Sequence, residues 1–237
     1  MNAHGDERYD ADNAPREVRI PSGPAVIHAD LTVPDASRGI VVFAHGSGSG
    51  RHSQRNRQVA SALQRERLAT LLVDLLTEDE ASRDERTGEL RFDIELLARR
   101  VVDAIDWIAR EPAVRHLPVG IFGASTGAAA ALFAAAHRPH RVRAVVSRGG
   151  RPDLAAPVLA QVEAPTQLIV GGDDTEVLAL NEHAFAQLRC ESVLEIVPGA
   201  SHLFEEPGAL DAVADLARAW FAGHLDPTLG GKPDVGS

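Results

Sequence analysis

The stretch Val119-Gly120-Ile121-Phe122-Gly123-Ala124-Ser125-Thr126-Gly127-Ala128 decides the reading of this chain. It runs from an apolar segment through Gly-x-Ser-x-Gly into an alanine-rich segment that reaches His137. Physically, this is a buried strand that stops, turns sharply and enters a helix with Ser125 at the apex. A turn that tight crowds neighbouring side chains, so small residues must flank the serine. The hydroxyl then stands clear of the sheet above a helix N-terminus, whose free N–H groups favour developing negative charge. The pentapeptide alone is common, so its meaning depends on what surrounds it.

Outward from the elbow, strand and helix patterns alternate. Before it come two short alternating runs, Arg16 to Ile20 and Ala25 to Val33, separated by Pro21-Ser22-Gly23-Pro24. The continuous apolar run Gly39 to Ala44 fits a strand covered on both faces. It ends in the glycine loop His45-Gly46-Ser47-Gly48-Ser49-Gly50. A helix is predicted from Gln54 to Arg67 and a strand from Leu68 to Leu76. Glu78 to Arg91, charged and acid-rich with Gly88 as a breaker, is predicted to be a surface loop. From Asp93, a plausible N-cap, apolar residues at Ile94, Leu97, Val101, Ile105 and Ile108 keep helical spacing.

After the elbow, strands are expected at Val142 to Val146, Thr166 to Val170 and Ser192 to Val197. Helices are expected at Glu176 to Leu188 and from Leu210 to Trp220. This alternation implies an α/β fold: a doubly wound, mainly parallel sheet with helices on both faces. Ligands in such sheets sit at the carboxyl ends of the strands. The expected organisation is a lead-in over 1–15, one domain over 16–225 and a loose tail over 226–237.

The 237 residues suit a single domain, and 44% apolar with 24% charged residues is ordinary for a globular protein. A net charge of −10 argues against nucleic-acid or anionic-membrane partners, which need a basic face. The single cysteine, Cys190, excludes an internal disulfide and carries no metal-site spacing. Met1 to Asp12 lacks a hydrophobic signal core, and no apolar run approaches the roughly 18 residues of a membrane span. A cytoplasmic location is therefore expected, and neither a metal nor a cofactor is implied.

A serine hydroxyl needs a base, and the base needs a carboxylate to orient it. In chain order, the acids Asp173 and Asp174 follow Leu168-Ile169-Val170-Gly171-Gly172. His202 follows Val197-Pro198-Gly199-Ala200-Ser201. Both sites lie just past a strand, on the rim where Ser125 emerges. The order Ser, Asp, His is that of the α/β-hydrolases. A phosphate-cradle reading of the glycine loop fails in detail: Arg51 stands where a dinucleotide fingerprint needs its last glycine, and Arg51-His52 where a Walker loop needs Gly-Lys.

Four motifs in order now carry a resemblance: His45-Gly46-Ser47-Gly48, Gly123-Ala124-Ser125-Thr126-Gly127, Gly171-Gly172-Asp173-Asp174 and Gly199-Ala200-Ser201-His202. From about Ala25 to His224 the chain resembles a serine member of the dienelactone-hydrolase-like branch of the α/β-hydrolases. The resemblance implies Ser125 as nucleophile, His202 as base and, by family spacing, Asp174 as the acid. It also implies backbone N–H donors to the oxyanion from Thr126 and Ser47, with His45 bracing the loop. Dienelactone hydrolases proper carry cysteine at the nucleophile position. Serine here points instead to a general carboxylesterase acting on small soluble esters or lactones through an acyl-enzyme. Amide, thioester or peptide cleavage, or a binding protein that kept the fold, are the alternatives.

Two basic groups flank the expected mouth: Arg51, Arg55 and Arg57, then Arg148 and Arg151. They either focus an anionic substrate, with Arg51 and Arg148 as its binding residues, or pair with nearby acids. Only Ser147 to Pro165 separates two strands, too little chain for a cap domain. A shallow, water-accessible pocket is expected.

Overall fold

The computed structural model describes residues 14–226. The expected lead-in and tail fall outside these residues, apart from Ala14, Pro15 and Asp226. An eight-stranded sheet runs in the order β1-β2-β4-β3-β5-β6-β7-β8. β1 (Arg16–Ser22) and β2 (Ala25–Thr32) form an antiparallel hairpin turned at Gly23, and β2 runs antiparallel to β4 (Leu68–Val73). From β4 onward every pairing is parallel, through β3 (Gly39–Ala44), β5 (Val119–Ala124), β6 (Val142–Arg148), β7 (Thr166–Gly171) and β8 (Ser192–Val197). β3, β4, β5 and β7 are buried at every position, which is why their sequences are apolar runs rather than alternations.

Helices cover both faces. α3 (Ile94–Ile108) and α4 (Thr126–His137) pack on one core cluster; α1 (Gln54–Arg65) and α6 (Ala209–His224) pack on the other. α4 has alanine or another small residue at most positions, and nine of its residues are buried, so it lies close against the sheet. α5 (Thr175–Phe185) follows β7. Between β6 and β7 there are only two short 3-10 turns, Pro152–Ala155 and Leu159–Gln161, and no cap domain among the described residues.

One expectation is overturned. The segment predicted as a surface loop contains α2 (Glu78–Thr87). Thr77 caps it through a reciprocal capping box: its hydroxyl accepts from the Glu80 amide, and the Glu80 carboxylate accepts from the Thr77 amide at 2.8 Å. Acids at Glu78, Asp79 and Glu80 complement the helix N-terminus, and Gly88 closes the helix in a left-handed conformation. Buried Asp84 then accepts from the amides of Leu90 and Arg91 and from Arg91 Nε, tying the following turn down.

Candidate active site

Ser125 stands at φ 51°, ψ −124°, between the end of β5 and the first residue of α4. For a residue with a Cβ this backbone is strained, by about 1–3 kcal/mol, and it persists only where the surroundings enforce it. Here they do. The Ser125 amide donates to Arg148 O at 3.3 Å, and its carbonyl accepts from the Arg151 amide at 3.1 Å. Gly127 must be glycine, because a Cβ there would lie 2.3 Å from Ala44 O. The elbow is thus wedged against the end of β3.

The acid and base loops meet beside it. His202 follows β8 and Asp174 follows β7; His202 Nδ1 lies 2.7 Å from Asp174 Oδ2. Gly171 makes this meeting possible, since a Cβ there would lie 2.3 Å from Ala200 O. The carboxylate that reaches the imidazole is Asp174. Asp173 is exposed, and its amide donates to Ala200 O at 3.0 Å. With Asp174 accepting from Nδ1, the other ring nitrogen is left as a proton acceptor. Among the described residues the Ser125 hydroxyl forms no hydrogen bond, including with His202. Catalytic contacts of this kind often tighten only around substrate.

The glycine loop forms the opposite wall. A Cβ on Gly46 would lie 2.8 Å from Ser125 Cβ, so the loop backbone passes directly beside the serine. The hydroxyls of Ser47 and Thr126 are 3.3 Å apart, which places their two residues side by side at the mouth. His45 is buried beneath them. Its Nε2 accepts from the Leu75 amide at 2.9 Å, so its proton sits on Nδ1 and is donated to Gly46 O, also at 2.9 Å. Burial pushes the His45 pKa below its ordinary value, which keeps the ring neutral in this role. A cavity of about 600 Å³ opens from Ser47 and Thr126 toward α2, whose residues Glu78, Asp79 and Glu85 line it together with Asp74.

The two arginines singled out for substrate binding have different surroundings. Arg51 contacts three carboxylates: Glu17 at 3.1 Å, Asp30 at 3.3 Å and Asp74 at 3.3 Å. Its backbone amide also donates to Asp74 at 2.7 Å. It therefore ties the glycine loop to the hairpin and to the end of β4, and its charge is answered within the fold. Arg55, Arg57 and Arg151 are likewise paired, with Glu205, Asp30 and Asp153. Arg148 is buried with no carboxylate partner among the described residues. Sequence reasoning passed over Asn56 and Phe204, which touch Arg148, and Asn181, whose amide donates to Gly150 O at 3.0 Å and holds the loop after β6. These contacts join distant segments and have no local sequence signal.

A strained serine at a strand-to-helix turn, an Asp–His pair from the next strands and a glycine loop alongside define an α/β-hydrolase arrangement. The family model described as alpha/beta hydrolase fold matches residues 39–204. The chain belongs to this family, and within it is dienelactone-hydrolase-like. It is 56% identical to a dienelactone hydrolase from Anabaena variabilis, with a TM-score of 0.89 over 90% of this chain and 99% of that one. Est1E from Butyrivibrio proteoclasticus, at 13% identity, has a TM-score of 0.73 over 87% of this chain and 97% of that one, a likeness of fold. A putative phosphoribosyl transferase from Mycobacterium tuberculosis is 58% identical over 209 residues, 88% of this chain. The chain spans 46% of that relative's length. No helix among the described residues is long and apolar enough to cross a membrane.

Proposed function

We propose that this hydrolase cleaves small carboxylic esters or lactones through an acyl-enzyme on Ser125. The observation that carries the proposal is the 2.7 Å contact between Asp174 and His202 Nδ1, on loops beside a serine held in an elbow conformation. In this reading Ser125 Oγ attacks the ester carbonyl and its proton passes to His202 Nε2. Asp174 holds the ring and stabilises the imidazolium that results. The tetrahedral oxyanion accepts hydrogen bonds from the backbone amides of Thr126, at the N-terminus of α4, and Ser47. Collapse breaks the carbon–oxygen bond to the leaving alcohol, which takes the proton from His202. Water then repeats the sequence on the acyl-enzyme, and Ser125 recovers its proton. The cavity of about 600 Å³ is of a size for a small ligand.

The transferase name belongs to a longer relative, of which this chain spans 46%. The Asp174–His202 contact beside Ser125 supports acyl transfer as the reading for this chain. The deciding experiment is labelling with a fluorophosphonate followed by peptide mapping. Modification of Ser125 together with turnover of p-nitrophenyl acetate is the expected result. A folded protein whose Ser125 stays unlabelled would overturn the mechanism.

A further inference from the structure

The buried face of α5 consists of Val177, Asn181 and Ala184, and the polar member is wholly inside, at 0% exposure. Asn181 Nδ2 donates both its hydrogens, one to Val177 O at 2.8 Å and one to Gly150 O at 3.0 Å. Its Oδ1 is buried with no partner among the described residues. Burying an amide with an unanswered acceptor costs stability, and a leucine would fill the position without that cost. Val177 lies on the same helix, so the contact there ties α5 only to itself. What the asparagine adds to the fold is its hold on Gly150.

Gly150 belongs to the loop that braces the nucleophile. On one side of it, Arg148 O accepts from the Ser125 amide at 3.3 Å; on the other, the Arg151 amide donates to Ser125 O at 3.1 Å. The Gly149 amide donates to Ile169 O at 2.8 Å. A Cβ on Gly150 would collide with Ser147 Oγ and lie 2.6 Å from Ala128 Cβ, in the first turn of α4. One on Gly149 would lie 3.1 Å from His202 O, so the same loop also runs along the histidine. The other end of the clamp is α5, whose N-cap residue is Asp174. The Asp174 side chain makes no capping bond and is turned instead to His202 Nδ1, at 2.7 Å. Asn181 thus fastens the helix that begins at the acid to the loop that holds both backbone groups of the serine. We propose that Asn181 is a positioning residue for catalysis: by holding Gly150 against α5, it sets the register of Ser125 against the Asp174–His202 pair. A misplacement of about 1 Å between reacting groups costs about 10²-fold in rate, so one fixed contact can govern turnover from outside the site.

This proposal deepens the esterase reading and rests on it, so turnover is measured beside a readout that does not need it. Asn181→Leu fills the space without a donor, and Asn181→Asp keeps the shape. Val177→Ala thins the same buried face without touching Gly150. With p-nitrophenyl acetate, per mole of folded protein, Asn181→Leu should lose about 10–10²-fold in kcat with KM little changed, while Val177→Ala keeps the wild-type kcat. In Asn181→Asp the buried carboxyl donates to Gly150 O only while protonated, so its kcat relative to wild type at the same pH should rise as pH falls. Taking that ratio removes the titration of His202, and the profile decides the matter even where Asn181→Leu fails to fold. Hydrogen exchange followed by NMR should show the Gly149 and Arg151 amides exchanging faster in Asn181→Leu and unchanged in Val177→Ala. A wild-type kcat or a loss confined to KM in Asn181→Leu, an equal loss in Val177→Ala, a flat Asn181→Asp ratio, or unmoved amides would each overturn the positioning role. A wild type that cleaves no ester and whose Ser125 resists the fluorophosphonate would overturn the esterase reading instead; faster exchange at Arg151 in Asn181→Leu would then still uphold the link from α5 to the elbow.

Discussion

Replacing His45 tests whether the glycine loop, proposed to supply one oxyanion donor, is held from beneath. The ring spans two segments, accepting from Leu75 N–H and donating to Gly46 O, each at 2.9 Å and away from solvent. His45→Leu fills the space but leaves both backbone groups without partners. Each such loss costs about 1–3 kcal/mol, so the variant should lose about 2–6 kcal/mol. That is large against a typical stability of about 5–15 kcal/mol, and for a chain of this size it corresponds to a Tm lowered by about 4–24 °C. The catalytic consequence is separate. Gly46 immediately precedes Ser47, so a loosened Gly46 carbonyl misdirects the Ser47 amide. Losing one oxyanion donor lowers kcat by about 10²–10³, with little change in KM because the bond matters most in the transition state. His45→Asn keeps a donor near the Nδ1 position but cannot reach Leu75. It should recover much of kcat while remaining less stable than wild type.

The pH dependence adds a sign. The folded-state pKa of His45 lies below its ordinary value of 6.5, so the unfolded chain binds the extra proton first. The stabilisation is full above 6.5 and is lost as pH falls from there through the folded pKa. Chemical denaturation at several pH values should show this slope in wild type and its removal in His45→Leu. The assay is p-nitrophenyl acetate turnover per mole of folded protein below the variant's Tm. A His45→Leu enzyme with wild-type kcat, or a His45→Asn enzyme as slow as His45→Leu, would refute the brace.

Two further outcomes follow from the geometry. Asp174→Asn should reduce kcat by about 10⁴, the scale seen when a triad acid can no longer hold the histidine tautomer, whereas Asp173→Asn should change it little; equal effects in steady-state kinetics would mean that the 2.7 Å contact is not the catalytic one. Asp84→Ala removes the carboxylate acceptor for Leu90 N–H, Arg91 N–H and Arg91 Nε, leaving the guanidinium only its contact with the residue-84 backbone carbonyl. It should cost about 3–5 kcal/mol in a urea melt, and a change under 1 kcal/mol would show that the end of α2 is not anchored there.

What the sequence disclosed divides by distance along the chain. The elbow, the Gly171-Gly172-Asp173-Asp174 turn and the approach to His202 are local patterns, each with a strand before it, so their positions on the sheet rim could be read directly. Helix α2 was missed for a different reason. Its segment has charge on nearly every side and no apolar stripe, so periodicity was silent, while the signal that mattered was Thr77 followed three residues later by Glu80. The arginines mark where local reading stops. Arg51 and Arg148 both sit among small residues near the mouth, and nothing beside either one in the sequence separates them. What separates them is that the hairpin and β4 bring Glu17, Asp30 and Asp74 to Arg51, while α1 and the histidine loop bring Asn56 and Phe204 to Arg148. The same guanidinium is thereby a structural tie in one place and an unanswered charge in the other. Charge inside a site is set by which segments meet there.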